Sequence, residues 1–255
     1  MPFEIVTVPC LSDNYAFLLH SAQTGETALI DAPEAGPVIA ALDKHNWKLT
    51  EIWLTHHHWD HIDAVGELKE ATGAQVIGAK NDAHRLPPLN HALAEGTDYK
   101  FANNDVQIFD VSGHTVGHIA FYVPNVGAVF TADSLMALGC GRVFEGTTDQ
   151  MWASLSKLAA LPPDTIVYSG HEYTANNAKF AITIEPDNKK LLARVRDIEF
   201  ARQAGKPTVP SSLQEELETN PFLRAKLPQV KSALAMQDAS DSAVFAEIRR
   251  RKDAF

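Results

Sequence analysis

The sequence predicts an α+β protein in which stacked β-sheets carry helices on their outer faces and a smaller helical part follows. Two observations predict this fold class. Up to residue 171, short apolar segments of strand length alternate with segments of helical periodicity, and such alternation is typical of layered sheets covered by helices. Beyond that residue, amphipathic helical segments replace the strands. We therefore expect two domains, residues 1–172 and residues 173–255.

The strands of the first part are predicted from apolar runs that have turn residues on either side. They cover residues 5–8, 16–19, 28–31, 51–54, 74–79, 106–111, 119–123, 128–131 and 165–169. Three helices are predicted between these strands, at residues 38–45, 62–72 and near 150–160. Each helix is bounded by glycine or proline, which favour helix starts and stops.

The second part is predicted to be helical. Residues 187–204 carry apolar side chains at helical spacing from Leu191 to Ile198, with charged residues between them and a stop at Gly205. Further helices are expected at residues 213–218 and 242–252, and the last of these ends in a basic cluster.

The densest group of candidate ligands follows a predicted strand. It is the run Thr55-His56-His57-His58-Trp59-Asp60-His61. Side chains alternate in an extended segment, so His56 and His58 can point the same way. Asp60 and His61 follow where the chain can turn into the next helix, and they offer a second pair of ligands. One short loop can therefore serve two ions, although the same run could also be a solvated histidine-rich turn.

Three further candidate ligands each follow an apolar segment of strand length. They are His114, Asp133 and His171. Polar ligands directly after buried strands suit a site that is built on a rigid sheet with adaptable loops. His118 is expected to brace the loop of His114, a support that metal histidines commonly need. His57 and Trp59 are expected to face solvent or the supporting helix.

The ligand types indicate which metals to expect. Imidazole and carboxylate groups are ligands that zinc, iron and manganese accept. Neither Cys10 nor Cys140 lies near the histidine run, so a thiolate site is not indicated. We expect two divalent metal ions per chain, with zinc as the first choice and iron or manganese as alternatives, because affinity order and availability decide loading.

The order of these ligands resembles a known superfamily. His-x-His-x-Asp-His, then Gly-His-Thr-x-Gly-His, then an isolated Asp and a Gly-His pair is similar to the signature of the metallo-β-lactamase superfamily. Within that superfamily, four further stretches resemble glyoxalase II, the family of hydroxyacylglutathione hydrolases. These stretches are Gly139 to Gly146, Gly170 to Thr174, Thr219 to Arg224 and Arg249 to Asp253. The resemblance spans essentially the whole chain.

The resemblance implies an αββα metallo-β-lactamase-like sandwich, with the metals at one edge of the two sheets and a smaller C-terminal helical domain. It also implies the ligand sets, namely His56, His58 and His114 for one ion, Asp60, His61 and His171 for the second, and Asp133 as the bridge. Two cations about 3.5–4 Å apart lower the pKa of a bound water toward neutrality. A metal-bridging hydroxide is then the expected nucleophile, so no side chain is expected to act as the catalytic base.

Candidate substrate contacts lie outside the ligand sets. Glutathione carries two carboxylates, and Arg249 and Lys252 lie i, i+3 on one face of the last predicted helix, where they can point at one anion together. A basic last helical turn that complements the helix dipole is the alternative explanation for this cluster. The resemblance adds Arg142 and Tyr173 as glutathione contacts. Phe144 stands where a tyrosine is common in the family, so a hydroxyl contact is lost there.

The implied activity is hydrolysis of S-(2-hydroxyacyl)glutathione, with S-lactoylglutathione as the expected substrate and D-lactate as the acid product, in the second step of methylglyoxal detoxification. Three alternatives share the ligand pattern. A glutathione persulfide dioxygenase uses one iron and resembles the first part only, and a lactonase has no reason to carry Arg249 and Lys252. A di-iron electron-transfer module has an acidic residue where this chain has His58, and it usually adds a flavin-binding domain.

Composition excludes several classes of partner. The formal net charge of −10 disfavours nonspecific nucleic-acid binding, which needs an excess of Lys and Arg over a broad face. No run approaches the ~20 apolar residues of a membrane span, and the N-terminal residues lack the apolar core of a secretory signal. Two distant cysteines do not suggest a disulfide framework. We therefore expect a cytoplasmic monomer that binds a small glutathione thioester.

Overall fold

A computed structural model describes residues 3–255, so Met1 and Pro2 of the N-terminal segment considered above lie outside the described residues. The described chain forms two compact units. The first unit contains residues 3–110 and 116–131, and the second contains residues 111–115 and 132–255.

The first unit contains a six-stranded mixed sheet. Its strands are β1 (Phe3–Cys10), β2 (Asn14–Ser21), β3 (Thr27–Ile30), β4 (Glu51–Trp53), β5 (Gln75–Ala79) and β6 (His91–Leu93), in that spatial order. Strands β1 to β3 pair antiparallel, whereas β3 to β6 pair parallel. The predicted strands at residues 5–8, 16–19, 28–31, 51–54 and 74–79 are thus confirmed, and the short strand β6 was not predicted.

Four antiparallel strands of the same unit belong to a second sheet. They are β7 (Tyr99–Phe101), β8 (Asn104–Asp110), β9 (Ile119–Val123) and β10 (Ala128–Ala132), in the order β10-β9-β8-β7. Aromatic rings pack between the two sheets. The ring centroids of Trp53 and Phe121 are 5.0 Å apart, and those of Phe17 and Phe130 are 6.0 Å apart. Apolar burial of this kind is the main stabilising contribution to a sandwich. The predicted stacking of two sheets is confirmed.

Three helices belong to the first unit, namely α1 (Ala35–His45), α2 (Trp59–Ile62) and α3 (Val65–Thr72). Helix α1 contacts β1, and α3 contacts β5. The single helix predicted at residues 62–72 is instead interrupted after Ile62. The reason is that the N–H of Ala64 bonds to the carbonyl of Ala32, and the carbonyl of His61 accepts from the N–H of Ala32. These bonds tie the short helix α2 to the segment that follows β3.

The second unit is mostly helical. Its strands are β11 (Leu135–Met136), β12 (Gly139–Cys140), β13 (Ile166–Ser169) and β14 (Ser211–Ser212), and its helices are α4 (Thr148–Leu158), α5 (Thr174–Ile184), α6 (Lys189–Gln203), α7 (Leu213–Thr219), α8 (Pro228–Ala233) and α9 (Asp241–Asp253). The helices predicted at residues 150–160, 187–204, 213–218 and 242–252 are confirmed as α4, α6, α7 and α9. Helices α5 and α8 were not predicted.

Helix starts in this unit follow from capping chemistry. The Thr147 side chain accepts from the N–H of Gln150, and the Gln150 side chain accepts from the N–H of Thr147, so α4 begins with a capping box. Ser212 and Glu215 form the same arrangement at α7. Between the helices, Leu138 of the β11–β12 hairpin packs in a buried apolar cluster with residues of α5 and α6. None of the helices over residues 3–255 has the length and apolar character needed to cross a bilayer.

Candidate metal centre

The histidine run lies directly after β4 in the first unit, and its start is held firmly. The backbone N–H and the hydroxyl of Thr55 both donate to Asp31, at 2.9 Å each. The carbonyl of Thr55 accepts from the N–H of Ile119 at 2.9 Å. The chain at residue 55 is therefore fixed between the residue that follows β3 and the first residue of β9.

Four predicted ligands of the run lie close together. Nε2 of His56 is 3.1 Å from Nδ1 of His58, and Nε2 of His61 is 3.7 Å from Oδ2 of Asp60. His56 and His61 are fully buried, whereas His58 and Asp60 are half-buried. Two imidazole nitrogens 3.1 Å apart would repel each other if both presented a lone pair with nothing between them. A shared proton or a bound cation removes this repulsion. This donor set fits a divalent metal ion.

Asp31 supports this cluster, although it is not among the residues predicted from the sequence. Its Oδ2 lies 2.8 Å from Nδ1 of His61, which leaves Nε2 of that ring directed toward Asp60. A carboxylate behind a histidine fixes the ring orientation and tautomer of a metal ligand. Asp31 adopts a φ of 58° just past β3, and its position at the end of an apolar strand was the available signal.

Asp60 is positioned by Asn14, a second residue that is not among those predicted from the sequence. Nδ2 of Asn14 donates to both the carbonyl and Oδ2 of Asp60, at 3.0 and 3.1 Å. Asn14 is buried at the start of β2. The carboxylate is therefore oriented by an amide that carries no charge of its own.

The second unit brings together the other three predicted ligands. Oδ2 of Asp133 lies 3.4 Å from Nε2 of His114 and 3.3 Å from Nε2 of His171. All three side chains are buried. Nδ1 of His114 lies 2.8 Å from the carbonyl oxygen of Arg142, which fixes the ring with Nε2 toward Asp133. One carboxylate oxygen shared by two histidines is a suitable donor set for a bridging position.

Gly141 allows this close packing. A Cβ at residue 141 would lie 2.0 Å from the carbonyl oxygen of Asp133 and 2.9 Å from Nδ1 of His114. Real Cβ atoms do not approach other atoms so closely, so any other residue would displace the backbone of Asp133. The glycine in the predicted Gly139 to Arg142 stretch therefore serves the ligands directly.

Of the predicted substrate contacts, Tyr173 and Arg142 have exposed side chains. The Tyr173 ring stacks on the His171 ring, with centroids 4.7 Å apart and planes 7° apart, and Tyr173 is 41% exposed. The Arg142 side chain is 65% exposed and its Nε lies 4.0 Å from Asp253. Phe144 is exposed beside the His114 ring, with centroids 5.3 Å apart.

Arg249 is buried and already has protein partners. Its Nη1 donates to the carbonyl of Cys140 at 2.9 Å, and its Nε and Nη2 donate to Asp253 at 3.0 and 2.8 Å. The guanidinium also lies 5.1 Å from the ring centroid of Phe222. The i, i+3 spacing did not predict this structural role, in which Arg249 links α9 to the end of the β11–β12 hairpin.

Lys252 is half-buried on the same helix. Its Nζ donates to the carbonyl of Asn176 at 3.3 Å and lies over the Phe180 and Phe255 rings. The pKa of Lys252 is lowered to about 8, first by burial and then by the positive charges of Arg249 and Arg142, against an opposing contribution from Asp253. Lys252, Arg249, Arg142 and Asp253 together carry more positive than negative charge. This positive cluster favours the binding of an anion.

Three residues of the first unit that were not predicted to be ligands can be compared with their expected surroundings. Trp59 is exposed, as predicted. His57 is not directed only to solvent, because its Nδ1 lies 2.9 Å from Oδ2 of the buried Asp82. His118, predicted to brace the His114 loop, stacks on the ring of His56 with centroids 4.6 Å apart and planes 10° apart.

Comparisons with known proteins agree over the whole chain. Residues 12–171 match the family model of the metallo-beta-lactamase superfamily, and residues 172–255 match that of the hydroxyacylglutathione hydrolase C-terminus. The chain is 62% identical to the hydroxyacylglutathione hydrolase of Ruegeria pomeroyi over 255 residues, which covers 100% of both sequences.

Two solved structures share the fold. The crystal structure of ETHE1 from Myxococcus xanthus superposes with a TM-score of 0.68 at 25% identity, covering 100% of this chain and 99% of that chain. TTHA1623 in a di-iron-bound form superposes with a TM-score of 0.63 at 26% identity, covering 86% of this chain and 100% of that chain. The predicted metallo-β-lactamase-like fold class, with a C-terminal helical part, is confirmed.

Proposed function

Because this chain belongs to the hydroxyacylglutathione hydrolase family of the metallo-β-lactamase superfamily, we propose how its two ligand clusters carry out the reaction of that family. The chain is a metal-dependent hydrolase that cleaves the thioester of S-(2-hydroxyacyl)glutathione to glutathione and a 2-hydroxy acid. The observation that carries this function is the identity of 62% over all 255 residues to a hydroxyacylglutathione hydrolase. Within this class we assign S-lactoylglutathione as substrate and D-lactate as product, the second step of methylglyoxal detoxification.

We assign the seven predicted ligands to two divalent ions. The first ion takes His56, His58 and His114, the second takes Asp60, His61 and His171, and Asp133 is shared. Support comes from the distances between the side-chain nitrogen and oxygen atoms of neighbouring proposed ligands inside each unit, which run from 3.1 to 3.7 Å. Zinc is our first assignment because imidazole and carboxylate ligands suit it, and iron and manganese are the alternatives.

The two ions, when bound, supply a water of lowered pKa and polarise the acyl carbonyl. The residues of the chain supply orientation. Asp31 directs Nε2 of His61 toward Asp60, and the carbonyl of Arg142 directs Nε2 of His114 toward Asp133. A thiolate is a good leaving group, so the departing glutathione needs no proton from a side-chain acid.

We propose that the positive cluster near the end of α9 binds glutathione. Lys252 and Arg142 supply charge for a carboxylate, and Tyr173 supplies an exposed aromatic face beside His171. Arg249 contributes charge from a buried position and holds the Cys140 carbonyl. The preference for glutathione over simpler thioesters then arises from charged side chains that are not themselves proposed metal ligands.

The proposed division of labour follows the predicted domains. We propose that residues 1–172 carry the metal chemistry and that residues 173–255 carry substrate recognition, a division that the spans of the two family models support. A monomeric state and a cytoplasmic location stay predictions.

The deciding experiment measures thiol release from S-lactoylglutathione, followed by metal analysis of the same sample. We expect free glutathione to appear in proportion to bound metal, with about two ions per chain. A simple thioester without the glutathione carboxylates should react with a much higher KM.

Oxygen uptake with glutathione persulfide is the matching control for the dioxygenase alternative. Oxygen consumption without thiol release from the thioester would refute the proposed hydrolysis. One iron per chain in the active sample would point the same way.

A further inference from the structure

Asp82 is a fully buried carboxylate in the first unit that no step above uses. It lies at the end of the 3-10 turn Lys80–Asp82, directly after β5, and its exposure is 0%. A buried charge is costly unless hydrogen bonds and an opposite charge compensate it. Its partners therefore indicate what the burial achieves.

The first partner of Asp82 is the histidine that separates two proposed ligands. Oδ2 of Asp82 lies 2.9 Å from Nδ1 of His57, whose side chain is 16% exposed. His57 stands between His56 and His58 in the sequence. The contact that holds the His57 ring is therefore attached to the same short backbone segment that carries both neighbours.

The second partner is Arg85, which extends the contact to another loop. Nε of Arg85 donates to Oδ1 of Asp82, and Nη2 of Arg85 donates to the carbonyl of Val116 at 2.6 Å. Val116 and Gly117 immediately precede His118, whose ring stacks on His56. Asp82 thus connects the histidine run with the segment before β9.

Gly117 shows how closely this loop packs against Asp82. It has a φ of 93°, and a Cβ there would lie 2.8 Å from the Cβ of Asp82. The loop backbone therefore rests directly on Asp82, with no room for a side chain. A second loop and the histidine run are fixed to one buried carboxylate.

From this geometry we infer that Asp82 and Arg85 form a positioning pair for the metal-binding loop, acting through His57 on His56 and His58. The inference rests on the proposed metal-dependent function. The sequence of contacts runs from Asp82 to Nδ1 of His57, and His57 is not one of the proposed ligands. Asp82 sets the direction of the ligand imidazoles, and supporting residues of this kind typically change metal affinity or activity by about 10–100-fold when replaced.

The test compares Asp82→Asn with Asp105→Asn in the full-length chain. Asp105 is a matched control, because it also loses a carboxylate from an ion pair, with Lys100 at 3.0 Å, yet its side chain is 75% exposed. Zinc affinity is measured by competition with a chromophoric chelator, and folding is checked by circular dichroism. We expect Asp82→Asn to bind zinc about tenfold or more weakly and Asp105→Asn to match the wild type.

His57 variants test whether Asp82 acts through that ring, and they keep the inference testable should Asp82→Asn fail to fold. His57→Asn retains an N–H donor near the position of Nδ1, so it should stay close to the wild type. His57→Leu lacks the donor and should weaken zinc binding as Asp82→Asn does. The double variant Asp82→Asn with His57→Leu should bind no more weakly than either single variant, since contacts that act as a unit are not additive.

The outcomes separate this inference from the proposed function. A wild-type chain that binds no divalent metal overturns both. Normal zinc binding and thiol release in the wild type, with unchanged zinc affinity in Asp82→Asn and His57→Leu, overturns the positioning role alone. Fully additive losses in the double variant also overturn it, because Asp82 and His57 would then act independently.

Discussion

Asp133 is the residue on which the ligand cluster of the second unit depends. Oδ2 of Asp133 lies near Nε2 of both His114 and His171, so both rings contact the same carboxylate oxygen. Lys252 is its counterpart in the positive cluster near the end of α9, because it is half-buried and the charges of Arg249 and Arg142 lower its pKa. These two residues carry the predictions that concern single side chains.

Asp133→Ala should abolish activity and lower the metal content of the chain. Removal of a shared anion leaves two cations without the negative charge between them, and their repulsion then opposes binding of either. Thiol release should fall to near background, and metal analysis should show fewer ions per chain than in the wild type. Retention of two ions with normal turnover would contradict the bridging assignment.

Lys252 should make glutathione recognition sensitive to alkaline pH. A lysine whose pKa is lowered to about 8 is charged below that pH and neutral above it, so its attraction for a carboxylate fades as the pH rises. KM for S-lactoylglutathione should therefore increase between about pH 7 and about pH 9.5 with little change in kcat.

The matched comparison is Lys252→Met against Arg250→Met. Arg250 is exposed and pairs with Glu247 on the same helix, so its replacement should leave the pH profile unchanged. Lys252→Met should have a raised KM already at neutral pH and a flatter dependence above it. An unaltered profile in Lys252→Met would show that another group titrates.

Among the elements, the β11–β12 hairpin depends on α7 for its position. Oε2 of Glu216 accepts from the N–H of Leu138 at 2.8 Å, and Nδ2 of Asn220 donates to the carbonyls of Met136 and Gly139. Arg194 donates to the other carboxylate oxygen of Glu216. A short hairpin is thus held by polar contacts with a helix that lies about eighty residues further along the chain.

Glu216→Ala should destabilise the chain by about 3–5 kcal/mol, because it leaves the buried Arg194 without its counter-ion. Urea unfolding followed by circular dichroism measures this loss. Glu218→Ala is the control, since Glu218 pairs with Lys190 near the surface and exposed pairs contribute about 1 kcal/mol or less. Equal losses in the two variants would refute the importance of burial.

Elements with a clear local pattern were predictable, and others were not. Strands β8, β9 and β10 are apolar runs between turn residues, so periodicity identifies them. Helix α5 places the polar residues Thr174 and Asn177 on its buried face and has no side-chain cap at Tyr173, so neither an apolar stripe nor a capping signal indicates it. Strand β14 has two residues and exists only through pairing with β13.

The same distinction holds within the candidate site. The proposed ligands could be identified as candidates because they cluster in short motifs after strands. Asp31 and Asp82 could not, since they meet His61 and His57 across 30 and 25 residues of sequence. The burial of Arg249 depends on a contact with Cys140 across 109 residues, and helical spacing carries no information on such a distance.

At the scale of the whole molecule, bound metal should contribute to thermal stability. An ion that binds the folded chain and not the unfolded one stabilises it by about 4 kcal/mol when its free concentration is a thousand times its dissociation constant. For a chain of 255 residues, that corresponds to a shift of the unfolding temperature of roughly 8–16 °C.

Removal of metal with a chelator should therefore lower the unfolding temperature by about that amount, and added zinc should restore it. Scanning calorimetry of the two forms measures the difference. An unchanged unfolding temperature in a sample shown to have lost its ions would contradict metal binding to the folded chain.

Gly141 has a consequence for the tolerance of this sequence to mutation. The space beside the Asp133 carbonyl admits a hydrogen and no carbon, so alanine should be rejected there as firmly as a bulky residue. Arg142, one position later, is largely exposed, and many side chains should survive there with weakened substrate binding. In a complete set of single substitutions selected for thioester hydrolysis, position 141 should therefore return glycine alone while position 142 returns a graded series. Available space, rather than a chemical role of the side chain, therefore sets which residues are tolerated at position 141, whereas the exposed position 142 is not limited in this way.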